Sequence, residues 1–483
     1  MGCTEWVELN QKNKPQSNAI ATGVLTLLAT GMYHAATLYD PGYRNEEWAY
    51  SRSDTAVLVT LMLFHIAAIV GSLAGWILIE RYAKKQINFV TMSFVIVGCT
   101  VSIAVPHSLI AVAFARSLMG VAHGLAYLLV LVHGGEIVIK ELRGVIMAAI
   151  NFCVISGALI GGIVNPVDLQ SLTAHQFLGI IGLTYMLLAF FLNLMLCYES
   201  PVFLLQRNHD AEALRSMLKL RNESTESWEI RNEMTEFKTM LSEDATTSRS
   251  IFMDGNLRPL ALVALGKVAS VLSFNYAVNT VKANVIDEVL DSSATTTTTD
   301  IRLSIVILMS IRMVVGMGAM FAVDVLGRRA LQLVSICSTG LVLVAMGVVY
   351  LATDSITPDI GMALFVACEV GASLGLTFIP DVLCSEAFNT KKKALSIAVV
   401  QVLEQILHLI VFGVVYWWDF AVYDRYGVTL LVAGLPMLGI GYVLYRKLPE
   451  TSKMSIRQAR IEFYKREGIV FGGSKNSVEV LYD

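Results

Sequence analysis

The sequence predicts an all-α polytopic membrane protein, with twelve transmembrane helices arranged as two pseudo-symmetric six-helix bundles. Three observations carry that prediction. Of 483 residues, 55% are apolar and 16% charged, against roughly a quarter charged in ordinary soluble domains. The apolar residues fall in runs of about 20, which cross a hydrocarbon core of about 30 Å at 1.5 Å rise per residue. The charges that punctuate those runs repeat between the two halves of the chain. The partner such a chain requires is the lipid bilayer. A net charge of −3 supplies no basic footprint, so no nucleic acid is expected, and no obligate protein partner is evident.

The first 19 residues are polar and lack the apolar core of a cleaved signal peptide, so span one (20–39) is expected to direct insertion. Cys3 follows Gly2, but a myristoylation signal wants Ser or Thr where the chain has Trp6. Span one carries Thr22, Thr26, Thr30 and His34 at i+4 spacing, a stripe that either lines a pathway or bonds back onto its own helix. Span two (55–79) holds His65, read as an interior histidine, and span three covers 88–106. Span four (108–131) sets Arg116, Gly120, His123, Gly124 and Tyr127 on one face, where glycine permits close helix contact. Spans five and six are 144–165 and 175–197. The polar segment 199–258 patterns as helix over 210–220 and 228–240. It reads as amphipathic surface helices, too small and too polar for a core of its own. Spans seven to twelve are 259–280, 301–323, 330–352, 359–384, 394–417 and 427–445. The domains are therefore 1–198, a six-helix bundle; 199–258, a linker; 259–446, a second bundle; and 447–483, a tail.

Basic residues resist translocation. Placing both termini and the even-to-odd loops inside collects 28 of the 36 Lys and Arg there, so both termini are expected to be cytoplasmic. Outside this leaves Arg44, Arg52, Lys282, Arg302 and Arg425, with Asp287, Glu288, Asp291, Thr295–Thr299 and Asp300 in one outer loop. The sequon at Asn222 then falls on the cytoplasmic side and is read as chance. Cys99, Cys153, Cys197, Cys337, Cys368 and Cys384 lie in or beside apolar runs, so no disulfide framework is implied.

The repeat is specific. Glu80-Arg81-Tyr82-Ala83-Lys84-Lys85 follows span two, and Asp324-Val325-Leu326-Gly327-Arg328-Arg329 follows span eight, 244 residues later. Glu136 with Arg143 seven residues on recurs as Glu386 with Lys393, 250 residues later. One reading is a gate, in which acids and bases on facing loops hold the halves together on the cytoplasmic side. The other is that the bases merely set topology, although the acids contribute little to that.

Charges inside the spans point to a pathway, because an ionised group at the bilayer centre costs about 3 kcal/mol or more. Lys267, Arg312, Glu369, Asp381 and Glu404 all lie in the second half. On span eleven, Gln401, Glu404, Gln405 and His408 form one polar stripe. It either faces a cavity or pairs Glu404 with Arg312 or Lys267. Pro380 beside Asp381 frees backbone carbonyls and favours a break in span ten. No nucleotide-binding loop, nucleophile elbow or metal-spaced Cys/His set is present, and the eight histidines are dispersed along the chain. The reading is a non-enzyme without cofactor or metal.

With these stations in order, the chain resembles the sugar porter family of the major facilitator superfamily, which includes glucose facilitators and insect trehalose transporters. Glu80–Lys85 is similar to that family's first D-R-x-G-R-R/K loop and Asp324–Arg329 to its second. Arg116-x-x-x-Gly120, Glu136 to Arg143, Glu199-Ser200-Pro201, Ser385-Glu386 and Leu448-Pro449-Glu450-Thr451 match further stations. The resemblance implies a midplane solute site, alternating access, and Arg116 as part of the gating set. It also marks Asn151, where the family's usual residue is Gln, as a binding position. The family's Gln-Gln-x-x-Gly run in span seven is replaced by Gly266-Lys267-Val268-Ala269-Ser270. The expected function is facilitated transport of a small polar solute, a hexose, trehalose or polyol, in the plasma membrane. A carrier for a charged or zwitterionic solute, with or without protons, and a non-transporting receptor on the same scaffold are the alternatives. The solute-binding set is Asn151, Lys267, Arg312, Asp381, Gln401, Glu404, Gln405 and His408, expected around a cavity of about 300 Å³ or more.

Overall fold

A computed structural model describes residues 3–38, 49, 52–164, 172–248, 250–293, 303–352, 357–417 and 423–465. Arg44, Arg302, Thr295–Thr299, Asp300 and the tail beyond 465 lie outside the described residues. The first half comprises α1 (Cys3–Lys12), α2 (Lys14–Leu38), α3 (Asp54–Arg81), α4 (Lys84–Ala104), α5 (Leu109–Ile137), α6 (Arg143–Val164) and α7 (Ala174–Leu196). Three short helices follow, α8 (Pro201–Gln206), α9 (Asp210–Arg221) and α10 (Trp228–Ala245). The second half has α11 (Leu257–Ser273), α12 (Tyr276–Ser293), α13 (Leu303–Leu326), α14 (Arg328–Ala352), α15 (Pro358–Ser373), α16 (Ile379–Ala387), α17 (Thr390–Trp417) and α18 (Tyr423–Lys447). A tail helix, α19 (Ile456–Tyr464), closes the described chain.

Among the described residues, eleven helical stretches are long and apolar enough to cross a membrane. The remaining span is the tenth, which is broken into α15 and α16 of 16 and 9 residues. Pro380 sits in the first turn of α16, where its missing N–H costs nothing. Ser335 bridges the break: its hydroxyl donates to the Gly371 carbonyl at 2.6 Å and accepts from the Leu376 N–H at 2.9 Å. Span seven is also broken, after Ser273. There the Asn275 amide donates to the Val271 carbonyl at 2.8 Å and accepts from the Val278 N–H at 3.1 Å, capping α12. The helix therefore continues through residues expected in an outer loop, and Lys282, Asp287 and Glu288 belong to α12. Lys282 is wholly buried because Glu369 supplies its counter-charge.

The helices of the first half approach closely where glycine allows it. A Cβ on Gly120 or Gly124 of α5 would lie 2.2 Å from the Phe64 or Ala68 carbonyl of α3, and one on Gly157 of α6 would lie 2.2 Å from the Leu28 carbonyl of α2. Around the outside, large apolar side chains such as Ile110, Phe114, Leu187, Met195, Val314 and Val432 are exposed, a surface only lipid makes favourable. The linker, expected to lack a core, has one. Val202, Leu205, Ala213, Met217, Ile230 and Met234 pack together with Phe237, Met240 and Ile456. The tail helix supplies the apolar wall that the segment alone could not. Arg457 pairs with Glu243 at 2.5 Å and Arg460 with Asp244 at 2.5 Å to hold it there.

Candidate functional site

Five helices from both halves bring one polar cluster together. Tyr127 of α5 donates to Asp381 Oδ2 of α16 at 2.6 Å, and the Asn151 amide of α6 donates to the same oxygen and to the Tyr127 hydroxyl at 3.2 Å. Lys267 of α11 donates to the Tyr127 hydroxyl at 2.7 Å and lies 2.6 Å from Asp381 Oδ1 and 3.1 Å from Glu404 Oε2 of α17. Asp381 and Lys267 are buried, whereas the Glu404 side chain is 17% exposed. Glu404 thus pairs with Lys267 and not with Arg312. Arg312 of α13 is 2.7 Å from Glu369 Oε2 of α15, Lys282 pairs with the Oε1 of the same carboxylate, and the Arg312 guanidinium stacks 3.8 Å over the Phe274 ring.

Histidines dispersed in the sequence converge here. His34, His65, His123 and His408 form a packed group with ring centroids 5.1–5.9 Å apart. His65 Nδ1 lies 2.7 Å from Gln405 Oε1 across the two halves, and His123 Nδ1 lies 3.0 Å from the Thr30 hydroxyl. Among the described residues no group of histidine, cysteine and acid side chains is arranged to hold a metal. On span one, Thr26 bonds back to the Thr22 carbonyl while Thr30 reaches His123. Gln401 is buried with neither side-chain polar atom hydrogen-bonded.

Between these groups lies a cavity of about 50 Å³, walled by His34, His123, Tyr127, Asn151, Phe274, Arg312, Glu404, Gln405 and His408. It is far smaller than the expected 300 Å³ because the halves have closed on it from both ends. Away from the linker, Phe412 packs among Ala36, Leu61 and Val112. Phe274, Ala283 and Ile286 pack on Ala35, Leu38 and Ala158, and the Asn279 amide donates to the Leu38 carbonyl at 2.9 Å.

On the linker face the seam is narrower than the charged repeat implied. The Val145 N–H donates to Asp324 Oδ2 at 3.0 Å, Arg143 lies 3.7 Å from Glu386, and Arg143 donates to the Met454 carbonyl at 3.1 Å. Lys393 of α17 reaches over Gly135, next to Glu136. The other expected gate residues bond within their own half. Glu199 accepts from the Lys84 N–H at 2.7 Å, and Glu450 likewise accepts from the Arg328 N–H at 3.0 Å and the Arg329 N–H at 3.1 Å. Each is an acid at a helix N-terminus, where the helix dipole favours it. Burial nevertheless holds the Glu199 carboxyl above its ordinary range, against the pull of Lys84. Arg328 lies 3.0 Å from Asp324 and 3.1 Å from Glu386. Exposed Glu80 accepts from Trp76 at 2.8 Å, exposed Arg81 offers its carbonyl to Arg207, and Lys85 donates to the Leu194 carbonyl at 3.0 Å. Arg116 is not at this seam. It donates to the Tyr33 carbonyl at 3.0 Å, and the twenty residues of α5 between it and Glu136 put it about 30 Å away.

Tyr127, Lys282 and Glu369 were the site members least visible in sequence. The residue spacing sets Tyr127 on a helix-packing face, the span boundaries put Lys282 in an outer loop, and Glu369 reads as one of several in-span charges with no partner named.

The family model described as sugar (and other) transporter matches residues 21–463. Mouse (Mus musculus) solute carrier family 2, facilitated glucose transporter member 7, is 24% identical over 443 residues, 86% of this chain and 81% of that one. The facilitated trehalose transporter Tret1 of Anopheles gambiae is 25% identical over 345 residues, 68% of this chain and 40% of that one. Among solved structures, the proton:xylose symporter XylE with bound 6-bromo-6-deoxy-D-glucose is similar at a TM-score of 0.72 and 16% identity, covering 93% of this chain and 97% of that one. The inward-open form of XylE from E. coli gives 0.57 at 15% identity, covering 92% and 97%. A family match running from span one to the tail helix, on the twelve-span fold of the major facilitator superfamily, places this multi-pass membrane protein in the sugar (and other) transporter family.

Proposed function

We propose that the chain carries a small polar solute across the membrane by alternating access. Its bundles, residues 1–198 and 259–446, rock about the central cluster. One observation carries this reading: Tyr127 and Asn151 of the first bundle and Lys267 and Asp381 of the second share one hydrogen-bonded network beside a cavity closed at both ends. A bound solute would replace bonds such as Asn151 to Asp381 and so bias which end opens. The seam of Arg143, Val145, Asp324 and Glu386 is the gate on the linker face. That face is cytoplasmic in this reading, with both termini, in a plasma membrane.

The solute in this reading is a hexose, trehalose or polyol moved by facilitated diffusion; the names of the relatives support the hexose and trehalose. Uptake of labelled hexoses, trehalose and polyols into vesicles containing the protein tests this directly; flux no greater than in empty vesicles would exclude the sugar. The ionic lining of the cavity favours a second reading, a charged or zwitterionic solute. A ligand that binds and is never translocated would point instead to a receptor.

A further inference from the structure

The cavity is bounded by two buried ion clusters that do not balance. In the first, Lys267 faces two carboxylates, Asp381 and Glu404. In the second, Glu369 faces two cations, Lys282 and Arg312. The first therefore carries one formal negative charge in excess and the second one positive. The internally compensated members sit behind, and the surplus members, Glu404 and Arg312, are the ones that wall the cavity. Arg116, the other buried cation nearby, is turned onto the Tyr33 carbonyl.

The clusters are held apart by α11. Lys267 lies on it and Phe274, seven residues on, caps its end, about 10 Å along the axis, and Arg312 lies on the Phe274 ring. Buried charges need compensation, and each cluster presents the charge that the other lacks across a cavity of about 50 Å³. A solute that bridges them satisfies both at once. A neutral polyol satisfies neither.

We propose that the site takes a zwitterion, with a cationic ammonium against Glu404 and an anionic carboxylate against Arg312, the two joined by a spacer longer than a single carbon. This rests on the carrier reading and names its solute class. His34, His123 and His408 then wall the middle of the solute, and the Phe274 ring orients Arg312.

The test uses full-length protein in liposomes and a radiolabelled series of unbranched ω-amino acids whose ammonium and carboxylate are separated by one to five carbons. Saturable uptake that peaks at an intermediate spacer is expected. Inhibition by the monoamine and the monocarboxylate of equal length should be at least about tenfold weaker than by the zwitterion. Glu404→Gln should weaken the apparent affinity about tenfold or more, while Arg312→Lys retains uptake that Arg312→Gln loses. Saturable D-glucose uptake that zwitterions leave unaffected, equal inhibition by singly charged homologues, or no saturable uptake of any ω-amino acid would overturn the proposal. Spin labels at Lys140 and Val325 report the linker-face opening without any solute. Two distance populations alongside failed zwitterion uptake defeat the solute class alone, whereas one fixed distance defeats the carrier reading as well.

Discussion

Replacing Arg143 by Met isolates the linker-face gate. The substitution keeps the apolar stem that packs at the start of α6 and removes the guanidinium. Glu386 is not stranded, because Arg328 at 3.1 Å and the Thr451 hydroxyl at 2.6 Å still compensate it. The bond from Arg143 to the Val138 carbonyl joins neighbouring residues of one half, so it is lost equally from closed and open states and cancels. What remains specific to the closed state is the charged donor to the Met454 carbonyl and the 3.7 Å contact with Glu386. A hydrogen bond from a charged group contributes about 1.5–3 kcal/mol, and the long ion contact adds little. A loss of about 2 kcal/mol moves the closed-to-open equilibrium about 30-fold toward opening. Spin labels at exposed Lys140 and Val325, one on each half, read that shift as growth of a longer distance. Lys85→Met, whose partner is the Leu194 carbonyl of the same half, should leave the distribution unchanged. An Arg143→Met protein that folds, binds detergent normally and shows the wild-type distance distribution would refute the gate.

Gly120→Ala should lower the melting temperature in detergent, since its Cβ meets the Phe64 carbonyl at 2.2 Å and overpacking of this kind costs about 1–3 kcal/mol. Gly316→Ala, with nothing within 4 Å, should be neutral or slightly stabilising, and equal effects would contradict the packing argument. Lys267→Met leaves buried Asp381 and half-buried Glu404 without their cation, a loss of about 3–5 kcal/mol, and should abolish recovery of folded protein. Adding Asp381→Asn and Glu404→Gln should restore it, as measured by monodisperse size-exclusion yield. Asp254 is held below its ordinary value by hydrogen bonding from Lys392 and by the Ser248 N–H. Its contribution is present above the ordinary carboxylate range and is lost as pH falls through the depressed value. Asp254→Asn should therefore flatten the acid side of the melting-temperature profile, by no more than the ~1 kcal/mol that exposed pairs supply. An unchanged slope would count against that pairing. Glu199, raised by burial, has the opposite sign: its ionised form costs stability at neutral pH, and Glu199→Gln should remove a gain seen on acidification.

Hydropathy alone fixed the number and order of spans, because crossing a hydrocarbon layer demands about 20 apolar residues whatever they pack against. The exceptions are instructive. Span ten stayed legible as an apolar run although its helix is split between Ser373 and Ile379, since lipid tests composition and not continuity. Lys282 read as extramembrane because a lone lysine in a polar stretch carries no trace of the Glu369 that buries it, 87 residues away. The repeated charges located the linker-face loops, yet not their pairing. Arg328 and Glu450 bind within one half, whereas Val145 and Arg143 cross the seam.

The polar stripe on span eleven announced a site, and the helix period placed Glu404 and His408 on one face. That Lys267, and not Arg312, compensates Glu404 was decided by how α11 and α13 sit against α17. The same holds for the four histidines, three of which come from α2, α3 and α5 of the first half and one from α17 of the second. Sequence sets what each helix is able to bury, since that depends on local composition and a 3.6-residue period. Which charges neutralise one another depends on distances of a few ångströms between segments hundreds of residues apart, and only tertiary packing fixes those.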